Sequence, residues 1–343
     1  MTIYLVLFAF GLLLSLALTP VAKVLAHNFN LLDQPGQRKI HQQPIPLAGG
    51  EVLVLSFAAP LLVFASYSKD VLGLLITGFI FVLFGLFDDA GIKIRARYKI
   101  WSHFLFALAF IYFSGTQFTF FRTDWINWLL AAGFITFMTN SMNMLDGMDG
   151  LVSGVSFFAA GFLALLAFNS GQQDIVVICL ALMGATLGFL RYNFNPASIF
   201  LGEAGSTFLG FMLAVLAIKI NVYGLWDVAL ALGLERLQLI SFLIPLIVLG
   251  IPIFDTYFVF INRYLHNIKF SQPGKDHSHH RIYLMGFSQR ATVLTLYAVQ
   301  VVLGSIALAM IRSDLQQFIS LLMIVAIFFV GFTIFLSRYE PYE

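Results

Sequence analysis

The chain is built from apolar runs of about twenty residues, separated by short polar joints, and this alternation narrows what it can fold into. A helix needs about 20 apolar residues to cross the hydrocarbon core of a bilayer. Such runs can be drawn at about 2–22, 48–67, 71–87, 100–115, 125–142, 151–168, 174–191, 199–219, 238–262, 291–311 and 316–337. Only 10% of the 343 residues are charged, against roughly 25% in a soluble domain. So few charges cannot cover a water-facing surface. The expectation is an all-α polytopic membrane bundle of about eleven helices, a single domain over 1–343. The run from Ile3 to Val21 lacks a basic start and a small-residue cleavage site, so it reads as the first span. Cys179 has no second cysteine to pair with. The net charge of +2 gives no reason to expect nucleic acid as a partner.

Eleven spans place alternate loops on opposite sides. Fourteen of the 19 Lys and Arg then fall on one side. That side is assigned to the cytoplasm, with the N-terminus outside and the C-terminus inside. The same side collects the polar motifs, in loops at about 23–50, 88–100, 143–150, 191–203 and 263–290.

Each motif has an ordinary reading beside a functional one. Asp88-Asp89 could be a solvated helix end, but two carboxylates closing an apolar helix suit a hard dication. Asn140, Asn143, Asp146 and Asp149 recur every three residues, along one helix face; capping alone needs fewer such groups. His277, His279 and His280 in KDHSHHR are too close together for an easy zinc site. They suit a donor clamp for phosphate better than a merely solvated basic loop. Gly202-Glu203-Ala204-Gly205-Ser206 opens a span, where phosphate or metal could approach backbone N–H groups. Phe200 reads first as core. Asp255 lies within the ninth run after Pro252; the expected role is structural, satisfying backbone groups freed by the proline.

Taken together, carboxylates for a dication, donors for phosphate and amides for a base lie at one membrane level. That suits phosphoryl transfer between a soluble nucleotide and a lipid. The blocks RKIHQQPIPLAGG, FDD, NSMNMLDGMDGL, FNPASIFLGEAGS and HSHHR resemble, in order, those of the polyprenyl-phosphate N-acetylhexosamine-1-phosphate transferases. HSHHR looks closer to the enzymes that start O-antigen and teichoic acid than to the one that makes lipid I.

The resemblance implies transfer of a sugar-1-phosphate, with GlcNAc as the default sugar, from a UDP-sugar to polyprenyl (undecaprenyl) phosphate. It also implies release of UMP, Mg²⁺ or Mn²⁺ as cofactor, a multi-pass protein of the bacterial inner membrane with its site facing the cytoplasm, and a homodimer. Carried over by motif, Asp88, Asp89 and His279 form the catalytic set, and Asp89 and Glu203 hold the metal. Lys39, Asn143, Asp146, Asp149, Asn193, Phe200, His277, His280 and Arg281 bind nucleotide, diphosphate or sugar. Two departures stand out. Glu203 occupies a position where the family usually has Asp, and Leu47 one where many relatives are polar or basic. The rival readings are a membrane transporter, which would place broken helices and polar groups at mid-membrane, and a catalytically weak nucleotide- or lipid-binding relative.

Overall fold

A computed structural model describes residues 2–35, 42–65, 68–92, 94–269 and 274–339. Eleven helical stretches stand where the apolar runs place them. They are α1 (Thr2–Asn28), α2 (Gly49–Phe64), α3 (Lys69–Asp89), α4 (Ala96–Ser114), α5 (Asp124–Leu145), α6 (Leu151–Asn169), α7 (Gln173–Asn193) and α8 (Gly202–Lys219). A short α9 (Trp226–Ala231) leads to a broken stretch of α10 (Gln238–Ser241), α11 (Leu243–Val248) and α12 (Gly250–Leu265). A short α13 (Ser278–Leu284) precedes α14 (Gln289–Ala309) and α15 (Leu315–Leu336). The described strands are two two-residue pieces, β1 (Leu32–Asp33) and β2 (Ile45–Pro46), paired antiparallel.

By length and composition, seven described helices can cross a membrane: α1, α3, α6, α7, α8, α14 and α15. The bent stretch 238–265 makes an eighth if counted as one span. Helices therefore stand at the eleven expected positions, but seven or eight of the described ones, not eleven, are long and apolar enough to cross a membrane. The α2 helix has only sixteen residues. The α4 helix carries Arg97, Lys99 and His103, and α5 carries Asn127, Asn140 and Asn143. Of these, His103 and Asn127 are buried and Lys99 and Asn143 belong to the site, while Arg97 is exposed, and together they make α4 and α5 less apolar than a lipid-facing helix.

The core forms around α8, which is buried along nearly its whole length from Ala204 to Ile218. A helix apolar on all sides must be enclosed by others, and α3 and α5 flank it. Phe81 of α3 stacks on Phe211 at 5.0 Å, and Phe110 of α4 meets Phe211 edge-on at 5.2 Å. The α3–α8 pair is also tied at the end opposite Asp89, where Lys219 reaches Asp70 at 2.6 Å. The break between α11 and α12 bends the chain by 82°. Its freed carbonyl is not left bare: the buried Gln300 of α14 donates to the Val248 carbonyl at 2.6 Å, as a polar backbone group away from water requires.

A candidate phosphoryl-transfer site at one end of the bundle

The carboxylate pair closes α3, and the chain then turns back within six residues. Ile94 N–H reaches Asp88 Oδ1 at 3.4 Å, and α4 begins at Ala96. This tight reversal returns Lys99, one turn into α4, against Asp88. Its ammonium lies 2.9 Å from Asp88 and 2.5 Å from Glu203, bridging the end of α3 to the start of α8.

Asp89 points the other way. Its two oxygens accept from the backbone N–H groups of Glu203 (2.9 Å) and Ala204 (3.0 Å). These are first-turn donors that α8 cannot satisfy itself, and a carboxylate there also faces the positive end of the helix. The fit depends on Gly202, whose φ is +73°. A Cβ at that position would stand 2.5 Å from Asp89 Oδ2. The N-terminus of α8 is therefore closed by Asp89, which corrects the expectation that a phosphate or metal approaches those N–H groups.

The other blocks assemble around this pair. Phe200 N–H donates to the Pro46 carbonyl at 2.8 Å, and Gly49 N–H to the Phe200 carbonyl at 3.1 Å, so the PIPLAGG turn is laced to the start of the α8 block. Asn143 accepts from the Ser206 hydroxyl at 2.9 Å, holding the end of α5 to α8. Asp149 accepts from Asn195 Nδ2 at 2.9 Å and from Ala197 N–H at 3.0 Å, fixing the loop after α7. Tyr297 of α14 donates its hydroxyl to the Gly150 carbonyl.

Asp146 caps α5, its backbone N–H donating to the Asn143 carbonyl at 3.4 Å, and its carboxyl group has no hydrogen-bond or ion-pair partner among the described residues. Burial, then the nearby carboxylates of Asp89 and Asp149, push its pKa up to about 8. Glu203 Oε1 is also buried without a partner.

The short α13 faces the turn after α5. His279 is fully buried, both its ring nitrogens lack partners, and its Nε2 lies where a side chain on Gly147 would go, 2.3 Å from a Cβ built there. Burial and then the His280 ring keep His279 well below the usual imidazole range. His280, with ring centroid 4.3 Å from that of His279, is lowered to about 4 by burial and then by His277. Both rings are neutral at pH 7, each with one donor and one acceptor nitrogen. His277 differs. Burial would lower it, but the Asp255 carboxylate 2.7 Å away holds its pKa above the ordinary value.

Several expected substrate contacts have other occupations. Asn193 accepts from Ser153 Oγ at 2.8 Å and donates to the Ile199 carbonyl at 3.0 Å, so its side chain braces the fold. Asn143 and Asp149 brace neighbouring segments in the same way. Arg281 is buried over the Phe258 ring at 4.8 Å and donates to the carbonyls of Asp276 and Tyr339; it ties α13 to the end of α15. His277 is paired with Asp255, and Phe200 contributes backbone hydrogen bonds. Lys39 lies outside the described residues.

The Asp89–Glu203 metal pair is not preformed either, because Asp89 faces amides and Glu203 faces Lys99. Among the described residues no three His, Cys, Asp or Glu are placed to hold a metal ion as they stand. The charge nevertheless fits a dication: Asp146 and Glu203 Oε1 carry unmet acceptor capacity beside Asp88 and Asp89. The resemblance implies that the basic residues after Asp89, Lys99 among them, attract phosphate, without separating Lys99 from its neighbours; Tyr297 gives no signal in the sequence, being a tyrosine in an apolar span.

A profile of Glycosyl transferase family 4 matches residues 71–221. The chain is 32% identical over 334 residues to a probable undecaprenyl-phosphate N-acetylglucosaminyl 1-phosphate transferase of Bacillus subtilis, covering 94% of this chain and 89% of that protein. It is 29% identical over 310 residues to a decaprenyl-phosphate N-acetylglucosaminephosphotransferase of Mycolicibacterium smegmatis, covering 80% and 74%. A phospho-N-acetylmuramoyl-pentapeptide-transferase of B. subtilis is 26% identical over 325 residues, covering 87% and 93%. With its ordered motifs gathered at one end of a helical membrane bundle, the chain belongs to glycosyl transferase family 4, among the polyprenyl-phosphate sugar-1-phosphate transferases.

Proposed function

We propose that the protein transfers an N-acetylhexosamine-1-phosphate, with GlcNAc as the default sugar, from a UDP-sugar to undecaprenyl phosphate, releasing UMP. The observation that carries this reading is the Asp88–Lys99–Glu203 cluster that joins α3, α4 and α8, with Asp146 at the end of α5 near Asp89 and His279 of α13 against Gly147 in the same turn. An oxygen of the lipid phosphate attacks the sugar-linked phosphorus, and the bond from that phosphorus to the UMP oxygen breaks. A phosphate dianion needs no deprotonation before attack, so the protein's task is positioning and charge neutralisation. Lys99 offsets negative charge next to Asp88, which orients the incoming phosphate. His279 offers an N–H and a lone pair to the diphosphate.

Asp146 and Glu203 are the carboxylates with acceptor capacity left for Mg²⁺ or Mn²⁺, with Asp88 and Asp89 adjacent. When bound, such an ion neutralises the diphosphate and stabilises the leaving phosphate. The excess of Lys and Arg on this side supports a cytoplasmic site in a bacterial inner membrane. The transporter reading would need its polar groups at the bend of 238–265, but Asp255 there is closed off by His277.

Purified protein with UDP-GlcNAc, polyprenyl phosphate and Mg²⁺ should release UMP, and EDTA should stop the release. No UMP from any UDP-N-acetylhexosamine would sink the proposal. Asp88→Asn should lower the rate severely. Glu203→Asp, which shortens the arm by one methylene and keeps the charge, should retain or raise activity. If it abolished transfer, Glu203 would not be a cation ligand.

A further inference from the structure

The bonds of Asp255 go to His277 and Ser278 rather than to backbone groups freed by Pro252, and this placement bears on the reaction. It is an acid within an apolar helix, 1% exposed, and such a group is costly unless fully paired. Both its oxygens are used. Oδ2 lies 2.7 Å from His277 Nδ1, and Oδ1 accepts the backbone N–H of Ser278 at 2.7 Å. A carboxylate only accepts, so the His277 proton must sit on Nδ1. This sets the ring's tautomer and orientation. The Ser278 N–H is the first of α13, a seven-residue helix too short to hold itself. One carboxylate therefore fixes both an imidazole and the start of the helix that carries His279 and His280.

The support is stiff on both sides. Beyond Asp255, Arg263 of the same helix holds Asp276 through two bonds, at 2.6 and 2.8 Å. Before it, Gln300 holds the Val248 carbonyl at the bend. At the far end of the relay, the His279 ring is pressed against Gly147, in the turn that carries Asp146 and Asp149.

We infer that Asp255 is a positioning residue for the transfer reaction, acting through His277 and Ser278 to aim His279 and His280 at the Asp146 turn. The inference rests on the phosphoryl-transfer reading of that site.

Its test combines kinetics with ¹⁵N-histidine NMR on the full chain in lipid nanodiscs, ring signals being assigned with single His→Gln variants. In the wild type the His277 proton should be on Nδ1. Asp255→Asn should move that signal and lower kcat about a hundredfold, the cost of an ångström-scale misplacement, with KM for UDP-GlcNAc changing far less. Asp255→Glu should restore the signal and most of the rate. His277→Gln should lose as much as Asp255→Asn, and the double variant should lose little more, as residues in one relay are not additive.

A wild-type His277 protonated only on Nε2 would overturn the inference, and this needs no variant to fold. So would an Asp255→Asn protein at wild-type rate, or a double variant whose loss is the product of the two singles. If the wild type itself released no UMP, the function reading would fall, while the NMR arm would still judge the pairing.

Discussion

Lys99→Met should reduce transfer by about 10²–10³-fold, the usual cost of removing one preorganised charge donor from a reacting phosphate or oxyanion. Lys99 is the cation seen between the Asp88 and Glu203 carboxylates, so methionine keeps the apolar stem and deletes what separates two negative charges. Incoming lipid phosphate would then meet uncompensated carboxylates. Stability should fall by about 2 kcal/mol, less than for a fully buried pair because all three side chains keep some contact with water. Lys99→Arg keeps the charge and should recover much of the rate. Steady-state UMP release separates the outcomes: a Lys99→Met enzyme within threefold of wild type would mean that the ammonium serves only to join α3, α4 and α8.

The second large effect is expected at a residue with no side chain. Gly202→Ala forces a Cβ onto a backbone at φ +73°, costing about 1–2 kcal/mol. It also places that Cβ 2.5 Å from Asp89 Oδ2. The carboxylate must leave, and two N–H groups of α8 lose a charged acceptor. Transfer should fall about a hundredfold in a protein that still folds, with a lower Tm. The cause can be isolated with a double variant. If the displaced Asp89 is responsible, adding Asp89→Ala to Gly202→Ala should cost little more, whereas independent effects would add. An unimpaired Gly202→Ala enzyme would show that the Asp89 cap is dispensable.

The architecture was legible in the sequence to the extent that apolarity encodes it. All eleven runs became helical stretches near their expected positions. The bend between α11 and α12 was not legible, because Pro245 and Pro252 each permit a kink without fixing its angle; the 82° turn depends on packing and on Gln300. At the site, the motifs correctly marked which segments converge. They did not tell which polar side chains face substrate and which face the protein. Asn193, Asp149 and Arg281 are as polar in sequence as Asp146 and His279, but each has a partner on a segment distant in sequence: Ser153, Asn195 and Tyr339 respectively. Lys99 was legible only as one of several basic residues after Asp89 expected to attract phosphate; the α3–α4 reversal is what sets it apart, against Asp88 and Glu203.

The α3–α8 pair is fastened at both ends, by Asp89 on the N–H groups of Glu203 and Ala204 and by Asp70 on Lys219. Two antiparallel rods pinned at each tip cannot slide lengthwise past one another without breaking one pin. The wall bearing the acidic pair is therefore the stationary jaw of the site. The short α13 is held as firmly, by Asp255 at its start and by Arg281 at the end of α15, so a larger sugar is accommodated by exchanging side chains rather than by moving either element. Sugar choice in such a frame would be retuned by changes around α13 with the acidic wall left in place.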